Sequence, residues 1–168
     1  MAVATLKSNA FGMIPDQVPG LSGRMAKGRE GSGTQAWKVG AVLLRSSGKV
    51  IEASAAAVAD IIGVSAGVSA GVTDSEVIYY LSTPDMVFTA TLENQSTEDH
   101  ALIVTDMYTD FGVHVDTSTN GNWYLNFNET TNTAMCVVAP VNWADVDNAT
   151  VRARVKAIFL EDVCAWNT

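Results

Sequence analysis

Between Val50 and Val151 the chain contains no lysine and no arginine. Over that span there is no phosphate-gripping lysine of the P-loop kind and no basic track for nucleic acid. Cysteine occurs twice, at 136 and 164, and histidine twice, at 100 and 114. Two cysteines in a chain of 168 residues do not make a disulfide framework. They read as small buried hydrophobes in a reducing cytosol. The histidines are too far apart for a His-x-x-x-His zinc pair. Charged residues are only 17% of the chain, against about 25% in a typical domain, so much of the surface is expected to be uncharged or covered by a partner. The opening stretch MAVATLKSNAFGMIP lacks the unbroken apolar run of a secretion signal, so none is expected and the sequons at Asn94, Asn128 and Asn148 read as chance.

What charge there is divides unevenly. Residues 1–49 hold seven cations against Asp16 and Glu30, a net of +5; residues 50–151 hold fourteen acids, a net of −14; the remainder contributes +1, for a total of −8. A basic leader therefore precedes an acidic body, and opposite fields of this kind steer and register contacts between surfaces. The leader's cations are interspersed with Gly, Met and Pro and lack interleaved aromatics, which argues against nucleic acid as the partner.

Residues 1–36 read as an extended arm. Pro15, Pro19 and six glycines deny it helix or sheet continuity, yet Phe11, Met13, Ile14, Val18, Leu21 and Met25 are more apolar than a solvated linker needs. From Trp37 to the end the chain reads as a single β domain. WKVGAVLLRS, a Ser47-Gly48 turn and KVIEAS predict a hairpin. AAAVADI predicts one or two helical turns. MVFTATLEN alternates Phe88, Ala90 and Leu92 against Val87, Thr89 and Thr91, the period of a strand with one buried face. ALIVTDMYT and FGVHVDTST read as strands, and Asn120-Gly121 before NWYLNF predicts a type I′ hairpin turn. TAMCVVAPVNW reads as a strand halted by Pro140, and TVRARVKAIF as a strand with one basic face. Strands at roughly 10-residue spacing indicate an antiparallel β-barrel or β-sandwich with at most one short helix.

The run GVSAGVSAGV, Gly63 to Val72, invites three chemical readings. Its glycines stand four and four apart, which does not fit Gly-x-Gly-x-x-Gly, and it has no lysine for a phosphate. As part of Ala53–Val72 it has the length and the Gly-x-x-x-Gly spacing of a membrane helix, but Asp60 and the poverty in large apolar residues oppose insertion. The remaining reading is a buried strand to about Ala66 followed by a glycine-rich crossing to Gly71. His114 and Asp116 share one strand face, which reads as solvated rather than as part of a catalytic triad. Asp145 and Asp147 lack the glycine and distal glutamate of a calcium loop. Trp123 and Tyr124, with Trp143 and Trp166, suggest a stacking platform for sugars, so a carbohydrate-binding β-sandwich on a virion or tail is the alternative function. No catalytic, metal or cofactor set emerges, and the chain reads as a non-enzyme.

WKVGAVLLRSSGKVIEA, leading into ADIIGVSAG and later PDMVFTATLE, resembles the decoration or cement proteins of tailed bacteriophages. Their pattern is Gly, apolar strand, Ser-Gly, apolar strand, then a short helical link and an Ile-Gly-Val-Ala strand; Val39–Val50 and Ala59–Ala66 follow it. The resemblance covers Trp37 to about Asn94. It implies a structural virion protein made in the host cytoplasm that binds the outer capsid surface, with the major capsid protein and further copies of itself, as a homotrimer, for partners. It also implies that the arm supplies the grip: Phe11, Met13, Ile14, Val18 and Leu21 by burial, and Arg24, Lys27 and Arg29 by pairing with acids. Neither nucleic acid nor membrane is an expected partner, and no cofactor is.

Overall fold

A computed structural model describes residues 14–15, 24–33, 35–54, 59–93, 101–116, 121–148 and 153–165. The fold is all-β. Two sheets follow one another along the chain, each five strands around, and a single hydrophobic core runs through both.

The N-terminal sheet contains β2 (Met25–Arg29), β3 (Val42–Ser46), β4 (Lys49–Glu52), β5 (Ile61–Ser65) and β6 (Glu76–Leu81), in the antiparallel order β2-β6-β5-β3-β4. The expected hairpin is β3–β4. Ser46 faces Lys49, and Ser47 and Gly48 take φ of 49° and 76°, the double positive φ of a type I′ turn, whose twist matches that of the flanking strands. β5 is buried along its whole length, in keeping with its uncharged IIGVS sequence.

The sheet curls until its two edge strands meet. Glu30, just past β2, bridges to Val50 in parallel, and the Gly31 N–H donates to the Val50 carbonyl at 2.7 Å. Glycine makes that approach possible. A Cβ at Gly28 would lie 2.5 Å from Val50 Cγ2, and one at Gly31 would strike Ile51. The expectation of an irregular segment up to residue 36 therefore fails at Met25–Arg29: the glycines that seemed to interrupt a sheet are the ones that let it close.

The C-terminal barrel contains β7 (Val87–Glu93), β8 (Asp110–Val115), β9 (Trp123–Asn126), β10 (Met135–Pro140) and β11 (Arg154–Phe159). They run in the order β7-β11-β10-β8-β9, and a parallel pairing of β9 with β7, Leu92 opposite Leu125, closes the circle. Period-two alternation puts Phe88, Ala90 and Leu92 inside from β7, and Val155, Ala157 and Phe159 from β11. Phe88 and Phe159 meet edge to face with ring centroids 5.3 Å apart. β1 (Ile14–Pro15) adds to β7, Ile14 opposite Thr89, so the start of the described chain bypasses the first sheet and pairs with the second.

Two expected strand features differ. ALIVTDMYT is not a strand: Val104–Asp106 form a 3-10 turn, with the Asp106 carboxylate accepting from the Ile103 N–H at 2.8 Å. A side chain that can satisfy a nearby backbone donor competes with the ladder. The β8–β9 hairpin exists, but its ladder ends at Val115 opposite Trp123, the Asp116 N–H donates to the Asn122 carbonyl and the Gly121 N–H to the Asp116 carbonyl, both at 2.8 Å, so the connection is longer than a two-residue Asn-Gly turn. Asn120 and residues 55–58 of the expected helical stretch 55–61 lie outside the described residues, Ala59 and Asp60 are irregular and Ile61 begins β5; among the described residues there is no α-helix and none long enough to cross a membrane.

Glu52 and Trp123 tie the sheets together: the indole Nε1–H donates to Glu52 Oε1 at 3.0 Å. Near the C-terminus, the Ala165 N–H donates to the Ile61 carbonyl at 2.9 Å.

Candidate interaction surfaces

Of the arm residues expected to grip a partner, Phe11, Met13, Val18 and Leu21 lie outside the described residues, and Ile14 contributes its backbone to β1. The three cations find acceptors within their own chain. Arg24 pairs with Asp85 at 3.2 Å, Lys27 with Glu76 at 2.9 Å, and Arg29 Nη1 donates to the Asp74 carbonyl at 3.0 Å. These contacts are exposed, and exposed pairs stabilise by only about 0–1 kcal/mol, so they can exchange partners cheaply. The register Met25–Tyr80, Lys27–Ile78, Arg29–Glu76 aligns these residues on the outer face of β2 and β6. Met25 is 51% exposed and Ile78 39%, so this face is both basic and apolar.

A second exposed apolar cluster sits on the C-terminal barrel. Two 3-10 turns, Val104–Asp106 and Trp143–Asp145, stand on segments that are linked by the Asp147 N–H donating to the Leu102 carbonyl at 2.7 Å. The first turn is pinned to β10 by the Tyr108 N–H on the Val137 carbonyl, also at 2.7 Å. Tyr108 is 80% exposed, Trp143 66% and Val104 60%, with Ile103 and Val141 beside them. Tyr108 holds φ at 61°, a left-handed backbone that a bulky side chain adopts at a cost of order 1–3 kcal/mol. Strain combined with exposure marks this aromatic tip as a functional candidate. Asp110, Asp145 and Asp147 are close to these residues in sequence, and Arg154, whose carbonyl accepts from the Val141 N–H, is a cation on the adjoining strand.

His114 corrects an expectation. Its face of β8 is not solvated: His114 is 5% exposed, and Tyr124 and Asn126 opposite are buried too. The cover is the loop after β9. The Gly112 N–H donates to the Glu129 carbonyl at 2.8 Å, and a Cβ on Gly112 would lie 2.9 Å from the Asn132 carbonyl oxygen. The Glu129 carboxylate holds the loop's shape by accepting from the Thr131 and Asn132 N–H groups at 3.2 and 2.8 Å. His114 Nε2 has no hydrogen-bond partner. Burial pushes its pKa down, and the Glu129 carboxylate opposes that shift in part. Trp123 is equally buried, with its N–H on Glu52, so neither its ring nor that of Tyr124 is presented at the surface as a stacking platform requires. Trp166 lies outside the described residues.

The glycine repeat is structural. It leaves β5 at Ser65, whose hydroxyl donates to the Gly67 carbonyl, and crosses toward β6. The fully buried Glu30 fastens the crossing: its Oε2 accepts from the Ala70 N–H at 2.9 Å, and its backbone bonds to Ser75 and Asp74. Sequence reasoning missed this clamp, for a glutamate among glycines carries no burial signal. The repeat also spells Gly-x-Ser-x-Gly twice, around Ser65 and Ser69. A nucleophile elbow stands on a strand-to-helix turn with its hydroxyl presented. Here Ser65 is 1% exposed and a loop follows β5, so the elbow geometry is absent.

Burial raises the Cys136 thiol to about 11, assisted by Asp110, which keeps it protonated at neutral pH. Among the described residues no three His, Cys, Asp or Glu side chains are grouped to hold a metal ion. Asp145 accepts from the Asn142 amide at 3.1 Å, as a turn residue does. The class this geometry defines is an all-β protein with two exposed apolar surfaces of different charge. No protein-family model, curated protein or solved structure matches the chain.

Proposed function

We propose that this is a structural virion protein that binds the outer surface of a phage capsid lattice and stabilises it. The observation that supports the reading best is the N-terminal segment. Ahead of Arg24, its described attachment to the body is the two-residue ladder of β1 on β7. Pairing by strand addition is a general way for an extended segment to engage a sheet edge, in its own body or in another. The apolar residues Phe11, Met13, Val18 and Leu21 lie on either side of that ladder in sequence and supply anchors for burial against the major capsid protein. Engaging arm and body together multiplies affinity through effective concentration, which suits a repeated lattice. The charge component is smaller than the sequence suggests, because Arg24, Lys27 and Arg29 already have acceptors in the chain.

The test is co-sedimentation with purified capsids that lack the protein, followed by electron microscopy for its position and copy number. Truncation must stop at residue 23, since removing residues 1–36 would also remove β2. The full chain is expected to pellet with particles and the truncated chain to remain in the supernatant with its fold intact. Equal binding by the two removes the arm from the reading, and no binding by the full chain removes the reading itself.

A further inference from the structure

We propose that copies of this protein associate head to tail, the basic apolar face of β2 and β6 in one copy receiving the aromatic tip of the C-terminal barrel of the next. The two surfaces are the exposed apolar clusters described above, and each is matched to the other rather than to itself. Residues 24–82 carry six cations and five acids, one of them the buried Glu30, whereas residues 83–165 carry twelve acids and three cations. Two tips facing each other would bring Asp110, Asp145 and Asp147 against their own copies, and like charges brought together at an interface oppose association. Tip against face puts those acids beside Lys27 and Arg29 instead.

The side-chain chemistry agrees. Tyr108 and Trp143 offer the exposed rings that stack best on lysine and arginine, and Met25 supplies a pliable thioether beside them. The two residues of the wrong sign complement one another as well: Arg154 stands beside the tip and Glu76 on the face. Tryptophan, tyrosine and arginine are the side chains that dominate association energies. The Lys27–Glu76 pair on the face is too weak to oppose re-pairing.

Because the contact joins two different surfaces, it has a polarity. Such a contact either closes into a ring or extends as a row, according to the rotation it imposes. The inference stands on the two surfaces and the charge division alone, and needs nothing from the capsid reading.

Sedimentation velocity of the full chain over a range of concentrations tests it. Two double variants separate the surfaces: Tyr108→Ser with Trp143→Ser at the tip, and Met25→Ser with Ile78→Ser on the face. All four side chains are exposed, and a thermal melt verifies that each variant folds. The native chain is expected to associate as concentration rises, with each variant weakened by at least about tenfold. An equimolar mixture of the two variants is expected to recover a heterodimer that grows no further, since one intact tip meets one intact face. A native chain that stays monomeric throughout overturns the proposal. So does a mixture that stays monomeric, or a variant that associates as the native chain does.

Discussion

In the N-terminal sheet, Arg24, Lys27, Arg45 and Lys49 each reach a carboxylate at the surface, and the interior is almost wholly apolar apart from Glu30 and two serines. The C-terminal barrel instead buries Glu93, Asp106, His114 and Asn126, and its exposed tip is aromatic. Surface pairs contribute little and can be exchanged, whereas buried Asp106 and Asn126 hold loop backbone, at the Ile103 and Asn128 N–H groups, and so fix the arrangement of those loops. The first sheet is thus chemically tolerant at its surface, and the barrel is tolerant of little in its covering loop. Both nevertheless share one core, which predicts that they unfold together.

The largest effects test that shared core. Phe159→Ala removes one partner of the Phe88 contact from a fully buried site and should cost about 3–5 kcal/mol in urea denaturation. Leu43→Ala in the other sheet should cost about 2–5 kcal/mol. Each is expected to shift one cooperative transition; two separated transitions would divide the molecule into independent halves. Next in size is the link between them. Glu52→Ala leaves the Trp123 indole N–H buried without its acceptor, a loss of about 1–3 kcal/mol, while Glu52→Gln, which keeps an acceptor oxygen, should recover most of it.

Acid should then distinguish the halves. His114 is held neutral in the fold with its pKa below the ordinary 6.5, so the unfolded chain binds its proton first. Stability from this group is complete above pH 6.5 and falls as pH drops toward the lowered folded value. In His114→Gln that part of the pH dependence should disappear from denaturation curves. What remains at lower pH includes Glu129, whose carboxyl is held below its ordinary range by the Asn132 backbone N–H and then that of Thr131. The smallest effect belongs to the exposed pairs. Lys49→Ala should change stability by no more than about 1 kcal/mol, and added salt should shrink even that difference.

The difference between the halves also explains which parts of the fold were legible in the sequence. Ser47-Gly48 between β-branched runs named its own turn, and alternation exposed the inner faces of β7 and β11, because local chemistry decides those features. β2 was hidden, since Gly28 and Gly31 are required by an approach to Val50 and Ile51 some twenty residues away. The cover over His114 was hidden for the same reason: it depends on a loop that reaches back over Gly112 from beyond β9. Of the expected gripping residues, the cations read as part of an arm, and nothing local revealed that they lie on or beside β2, where Glu76 and Asp85 compete for Lys27 and Arg24. The aromatic tip had a signal, Trp143 in a turn, but the strand reading of ALIVTDMYT concealed its companion Tyr108.

The two-residue ladder between Ile14 and Thr89 sets an order of events during synthesis. A nascent chain emerges from its N-terminus, and domains ordinarily assemble in that direction as residues appear. Here β1, the earliest of the described strands along the chain, must wait for a partner some seventy-five residues behind it. Throughout that interval Ile14 and Pro15 lack this ladder, and any sheet edge nearby competes for them.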